Sequence, residues 1–282
     1  MIKLIQRALR AAFMAAEAVF NRAFGDRLNP LYHLGAMTFF LFWVVGATGL
    51  VLYAFFDTSV TGAYRSVEAI THGAFGLGSV LRTVHRHASD ALMLTMVVHL
   101  LRHYAFDHLR GFRWFSWVTG VVLLWLAYIA GANGYMLPWD RMAQFVTQAS
   151  FEWMDWLPGF KGRLIRNFIL PEHVSNRLFS LLVFIHIGVS LLLLLVMWIH
   201  VQRVPKAAMH PPRPITVALS VTLLVLSLAV PVFSQGPADL HTMPLRLSFD
   251  WFLLTVFPLI QSGAMGAVWV LLVGSTAFGV ML

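Results

Sequence analysis

Five stretches of this chain contain no Asp, Glu, Lys or Arg: residues 28–56, 114–139, 178–202, 214–238 and 251–282. Each exceeds the ~20 residues that an α-helix needs to cross a bilayer. A sixth span is expected near residues 75–104, where Arg82, Arg86 and Asp90 interrupt an otherwise apolar run. Hydrophobic residues make up 59% of the chain and charged residues 11%, whereas a soluble domain is about a quarter charged. A soluble enzyme and a disordered chain are both excluded on that ground. A transmembrane barrel would show short alternating segments rather than long unbroken runs. The expected fold is therefore all-α: a polytopic membrane helix bundle. The chain has no cysteine, which rules out disulfides, thiolate zinc sites, iron–sulfur clusters and covalently attached haem. Any metal must be held by His, Met or carboxylate.

The basic residues orient the bundle. Lys3, Arg7, Arg10, Arg22 and Arg27 precede the first span. Arg102, Arg110 and Arg113 lie between the second and third, and Arg203, Lys206 and Arg213 between the fourth and fifth. Short loops rich in Lys and Arg stay in the cytoplasm, so both termini are expected there, in the inner (plasma) membrane of a bacterium or archaeon. The same rule accounts for the net charge of +8 without a nucleic-acid partner. Residues 2–24 alternate apolar and basic positions as a helix lying on the cytoplasmic lipid surface would; a targeting peptide is the alternative. The long connection between the third and fourth spans is expected to contain helix of its own. Three parts follow: 1–27, the surface helix; 28–203, a core of the first four spans; and 204–282, two further spans.

Ionisable residues inside a span are costly and point to function. The second span holds His85 and His99, and the fourth holds His186 and His200. Both pairs are fourteen residues apart, just under four turns, so each pair shares one helix face. Its members stand ~21 Å apart along the axis, one toward each membrane surface. The two helices run parallel, so His85 is expected to face His186 and His99 to face His200. Facing imidazoles at two levels suit two haem groups with both axial positions filled, which transfer electrons and leave no site for oxygen. Histidines that only hydrogen-bond between helices, or a multi-histidine di-iron site, are the alternatives. His87 and His103 are read as polar or interfacial residues. Gly35 and Gly49 in the first span, and Gly120 and Gly134 in the third, repeat the fourteen-residue spacing and would leave room for a porphyrin. Arg82 and Arg102 flank the histidines of the second span toward the two surfaces, where propionates would need a guanidinium.

Taken with Trp117, these residues resemble the cytochrome b family, the dihaem subunit of respiratory quinol–cytochrome c reductases and of photosynthetic plastoquinol complexes. The run Gly134-Tyr135-Met136-Leu137-Pro138-Trp139-Asp140 is similar to a family signature, as are Pro237-Ala238-Asp239 and Thr242-Met243-Pro244-Leu245. The resemblance implies haem b at both levels, a quinone beside each, and redox partner subunits such as an iron–sulfur protein or a cytochrome c. Departures are visible. Where the family has Pro-Glu-Trp-Tyr, this chain has Phe249-Asp250-Trp251-Phe252, leaving Asp250 as the candidate catalytic base toward a quinol, or else as an acid at a helix start. Arg177 stands nine residues before His186, one turn further than the family's pattern. Arg203, Lys206 and His210 are candidates for a cytoplasmic quinone site by position alone. A short six-span variant complex is the expectation; a non-redox anchor or channel that keeps the fold is the alternative.

Overall fold

The computed structural model describes residues 2–204, 207–242, 244, 246–250 and 252–281. Their α-helices are α1 (Ile2–Phe24), α2 (Leu34–Phe55), α3 (Ala63–Thr71), α4 (Leu77–Ala105), α5 (Trp114–Gly134), α6 (Arg141–Asp155), α7 (Arg163–Phe168), α8 (Asn176–Gln202), α9 (Arg213–Ala229), α10 (Phe257–Gln261) and α11 (Met265–Met281). No strand occurs among the described residues. The protein is an all-α bundle.

Among the described residues three segments are long and apolar enough to cross a membrane: Leu34–Phe55, Gly111–Gly134 and Asn176–Gln202. Helix α4 is longer still at 29 residues but carries the charged residues already noted. The last two expected spans are shorter than their uncharged runs. Helix α9 stops at Ala229 because Pro231 cannot continue a helix and disfavours it at Val230. The final run is broken at Gly263, whose φ of +82° separates α10 from α11. Helices α9 and α11 have 17 residues each, at the short end of the roughly 17–25 residues that span a bilayer.

Helix α2 packs chiefly on α4, and α5 on α8. Met93, Leu123, Ala127, Leu193 and Met197 form a buried layer between α4, α5 and α8. Large apolar side chains such as Leu50, Phe184, Leu195 and Val270 point outward, as lipid permits and water does not. The connection between α5 and α8 folds into α6 and α7, as expected. It closes one end of the bundle over a core that includes Met136, Trp139, Val146, Phe179, Leu182 and Leu254.

The two segments similar to family signatures meet at that end. Asp140 and Pro237 form a bridge, the Ala238 amide donates to the Trp139 carbonyl at 3.0 Å and the Arg141 amide to the Gly236 carbonyl at 3.0 Å. Asp140 also caps α6, accepting from the Ala143 amide at 2.8 Å and from the Gln235 amide at 2.9 Å. Burial raises its carboxyl above the usual range, and those two donors act in the opposite direction. Met243, Leu245 and Trp251 of the motifs, and Lys206, lie outside the described residues.

Candidate functional site

The fourteen-residue repeats of the four core helices face one another in antiparallel register. A Cβ placed on Gly49 would lie 2.9 Å from His85 Cε1, and one on Gly35 would lie 3.2 Å from His99 Cε1. On the other side, a Cβ on Gly134 would lie 3.2 Å from His186 Cε1, and one on Gly120 would lie 3.7 Å from His200 Cε1. Each glycine thus makes room for one histidine ring of the neighbouring helix. Gly35 with His99 and Gly120 with His200 mark one level; Gly49 with His85 and Gly134 with His186 mark the other.

At the second of these levels the two half-bundles meet ring to ring. The centroids of His85 and His186 are 6.5 Å apart, with planes inclined at 57°. Two imidazoles bound to one metal through bonds of roughly 2.0–2.1 Å would have centroids at most about 6.4 Å apart, so the observed separation stands at the upper limit for a shared metal. Among the described residues no group of three or more His, Asp or Glu converges on one point; His85 and His186 meet as a pair, while His99 has His103 as its ring neighbour.

Hydrogen bonds set which ring nitrogen is free. His85 Nδ1 lies 3.1 Å from the Val45 carbonyl and His186 Nδ1 lies 3.1 Å from the Ala130 carbonyl. A carbonyl only accepts, so both Nδ1 atoms carry the proton and both Nε2 atoms keep a lone pair. Thr48 and Thr119 add to this. Their hydroxyls donate to the Val44 and Phe115 carbonyls, and so accept from His85 Nδ1 at 3.1 Å and His200 Nδ1 at 2.8 Å. Fixing Nδ1 in this way is what a metal-ligating histidine requires of its surroundings. At the other level His99 lies edge-on to His103, ring centroids 4.4 Å apart.

The arginines have partners within the chain. Arg82 donates to Thr71 Oγ1 at 2.7 Å and Ser234 Oγ at 3.0 Å, with Glu68 at 3.7 Å. Arg102 Nε donates to Glu17 Oε1 of α1 at 2.8 Å and its guanidinium lies 5.4 Å from the Tyr32 ring centre. Asp250 sits in a network that sequence reasoning missed. Its carboxylate pairs with Arg86, which also pairs with Asp90, and accepts from the Tyr135 hydroxyl. Its other oxygen accepts from the Phe252 and Leu253 amides at 2.8 and 3.0 Å. The Arg86–Asp90 half was legible as an i,i+4 pair; the half reaching Asp250 was not.

The glycine contacts give graded expectations. An alanine at Gly49 or Gly134 forces its histidine to move, and any metal group held by that ring should be lost or its absorbance shifted. Gly120→Ala meets only ordinary van der Waals contact, so haem content should stay whole, while thermal stability gains up to the ~1 kcal/mol by which Ala exceeds Gly in a helix. Haem content and melting temperature of the three variants check this. Equal haem loss from Gly49→Ala and Gly120→Ala would show that spacing, not ring contact, governs these positions.

Long apolar helices whose interior holds the facing pair His85 and His186 are the setting of an integral-membrane helix bundle. A family model described as cytochrome b/b6/petB matches residues 19–170, more than half of the chain, and the chain belongs to that family. The matched region contains α2, α4 and α5, and with them His85, His99 and the four glycines, and it ends before α8. Among solved structures, the chain is similar to one titled "Hyperthermophilic respiratory Complex III": the TM-score is 0.67 at 15% identity, over 89% of this chain and 71% of that one. At that identity the likeness speaks for the fold. Family and fold together make this a multi-pass membrane cytochrome b, an electron-transfer subunit, and family membership carries haem b binding with it.

Proposed function

We propose that the protein holds two haem b groups, one between His85 and His186 and one between His99 and His200, and passes electrons across the membrane between a quinone pool and partner redox subunits. The observation that carries this reading is the matched packing of four glycines against four histidines at two levels, with the His85–His186 separation suited to one shared metal. Haem supplies reversible one-electron transfer when bound; the residues hold and orient it. Val45, Thr48, Ala130 and Thr119 fix the imidazoles, and the glycines leave the rings their place. The layer containing Met93, Leu123, Ala127 and Leu193 separates the levels and keeps water out between them.

In this reading Arg82 and Arg102 serve the propionates from the two surfaces, each shared with a carboxylate of the chain, and Asp250 is the base for a quinol near the His85 level. Both termini lie in the cytoplasm, and an iron–sulfur protein or cytochrome c is the class of partner at the opposite face. The deciding experiment is a reduced-minus-oxidised spectrum of the purified protein with a haem-to-protein ratio. A ratio near two with b-type bands is expected. Absence of those bands would leave a non-redox anchor as the better reading, and a ratio of one would remove one of the two levels.

A further inference from the structure

A recess of about 290 Å³ lies between α1 and the end of α4, lined by Lys3, Arg7 and Arg10 from one side and by Asp107 and Arg110 from the other. Gln6, also on its wall, ties the sides together, donating to the Tyr104 carbonyl at 2.9 Å and to Asp107 Oδ1 at 3.3 Å. Asp107 lies 3.5 Å from Arg110 Nε. Among the described residues no carboxylate comes within ion-pair distance of Lys3, Arg7 or Arg10. The Arg10 guanidinium rests over the Phe106 ring, 5.6 Å from its centre. Four cations thus line one hollow whose single carboxylate, Asp107, pairs with Arg110, which leaves Lys3, Arg7 and Arg10 in excess.

The order of faces around α1 shows what kind of anion suits the recess. Residues advance by about 100° each along an α-helix. Leu9, Phe13, Ala16, Glu17 and Phe20 fall on one strip, buried or half-buried against the protein. Lys3, Arg7 and Arg10 fall on the next strip. Beyond it lie Leu4, Ala8, Ala11, Ala15 and Val19, every one exposed, with Leu4 at 71% and Val19 at 63%. An exposed apolar strip on a membrane protein faces acyl chains, and the basic strip beside it then sits at the height of the headgroups. A free phosphate would satisfy the cations alone. A phospholipid satisfies both strips, its phosphate in the recess and its chains along Leu4, Ala8 and Val19.

We propose that this recess binds the phosphate of an anionic phospholipid, which holds α1 against the end of α4. The proposal does not depend on the haem assignment. Each surface Lys or Arg strengthens binding to anionic lipid roughly fivefold, so Arg7→Gln with Arg10→Gln should weaken it about 30-fold.

The test uses the full-length protein, purified in detergent and stripped of lipid, with phosphatidylglycerol added back and binding counted by native mass spectrometry. Wild type should retain phosphatidylglycerol well above phosphatidylcholine. The double Gln variant should lose that preference with its haem spectrum unchanged, and Arg7→Lys with Arg10→Lys should keep it. If helix content shows that the Gln variant has lost α1, Lys3→Gln with Arg110→Gln carries the same expectation from the rim. Equal retention of the two lipids by wild type, or unchanged phosphatidylglycerol binding in the Gln variants, overturns the proposal. So does inorganic phosphate binding as tightly as the lipid in calorimetry, which would make the recess a site for a soluble anion.

Discussion

Alanine in place of His85 or His186 is expected to remove one of two b-type haems and leave the other in place, a loss of about half the haem absorbance. In the proposed arrangement these two rings, 6.5 Å apart, hold one haem between them, so either substitution would remove one of its two ligands. The other level lies fourteen residues along each helix, ~21 Å away, beyond the roughly 7–10 Å within which substitutions couple. The buried layer containing Met93, Leu123, Ala127 and Leu193 lies between α4, α5 and α8, so collapse at one level need not spread. His200→Ala should remove the other haem. His99→Ala should do the same unless His103, 4.4 Å away, takes its place. The double variant His99→Ala with His103→Ala separates these outcomes. Absorbance near the b-type bands and extracted haem per protein measure them. Loss of the same single haem from His85→Ala and His99→Ala would end the pairing by level.

The shared face of each histidine pair was legible in the sequence because fourteen residues is nearly a whole number of turns, and of the two expected cross-helix pairs the structure brings His85 and His186 ring to ring. Gly35, Gly49, Gly120 and Gly134 could be read for the same reason. What they touch could not: the glycines stand against the histidine rings themselves, a contact between helices that no single helix records. Span ends were less legible. A run without charge does not distinguish apolar helix from apolar loop; Pro231 marks the break after Ala229 in the sequence itself, whereas the break at Gly263 had to come from backbone conformation. The partners of Arg82, Arg102 and Asp250 stayed hidden for a different reason. Glu68, Glu17 and Arg86 come from other elements, and Arg86 is 164 positions from Asp250. Thr48 and Thr119, each immediately before a core glycine, carried a signal that matched spacing could have revealed.

Asp250→Asn should slow quinol-driven haem reduction by about 10²–10⁴-fold, the usual worth of a positioned general base, with both haem spectra unchanged. Asparagine keeps an oxygen for the Phe252 and Leu253 amides, so the turn it caps should persist. What it loses is the charge that Arg86 and Tyr135 hold. In the structure that carboxylate is fully engaged, so it must leave the guanidinium before it can accept a proton. Arg86 has a second carboxylate in Asp90, and a swing from one acid to the other would release Asp250 without stranding the cation. Arg86→Gln tests this step. With the guanidinium gone, Asp250 needs no such release, so adding Asp90→Asn to Arg86→Gln should slow quinol-driven reduction no further. Asp90→Asn removes the alternative partner, so Asp250 should be released less readily and reduction should slow with the haem spectra intact. A wild-type rate in Asp250→Asn, measured by stopped-flow reduction with excess quinol, would show that Asp250 is a cap and an ion-pair partner only. The quinol proton would then leave by another group, and the working quinone site would be sought at the His99 level, beside Arg203 and His210.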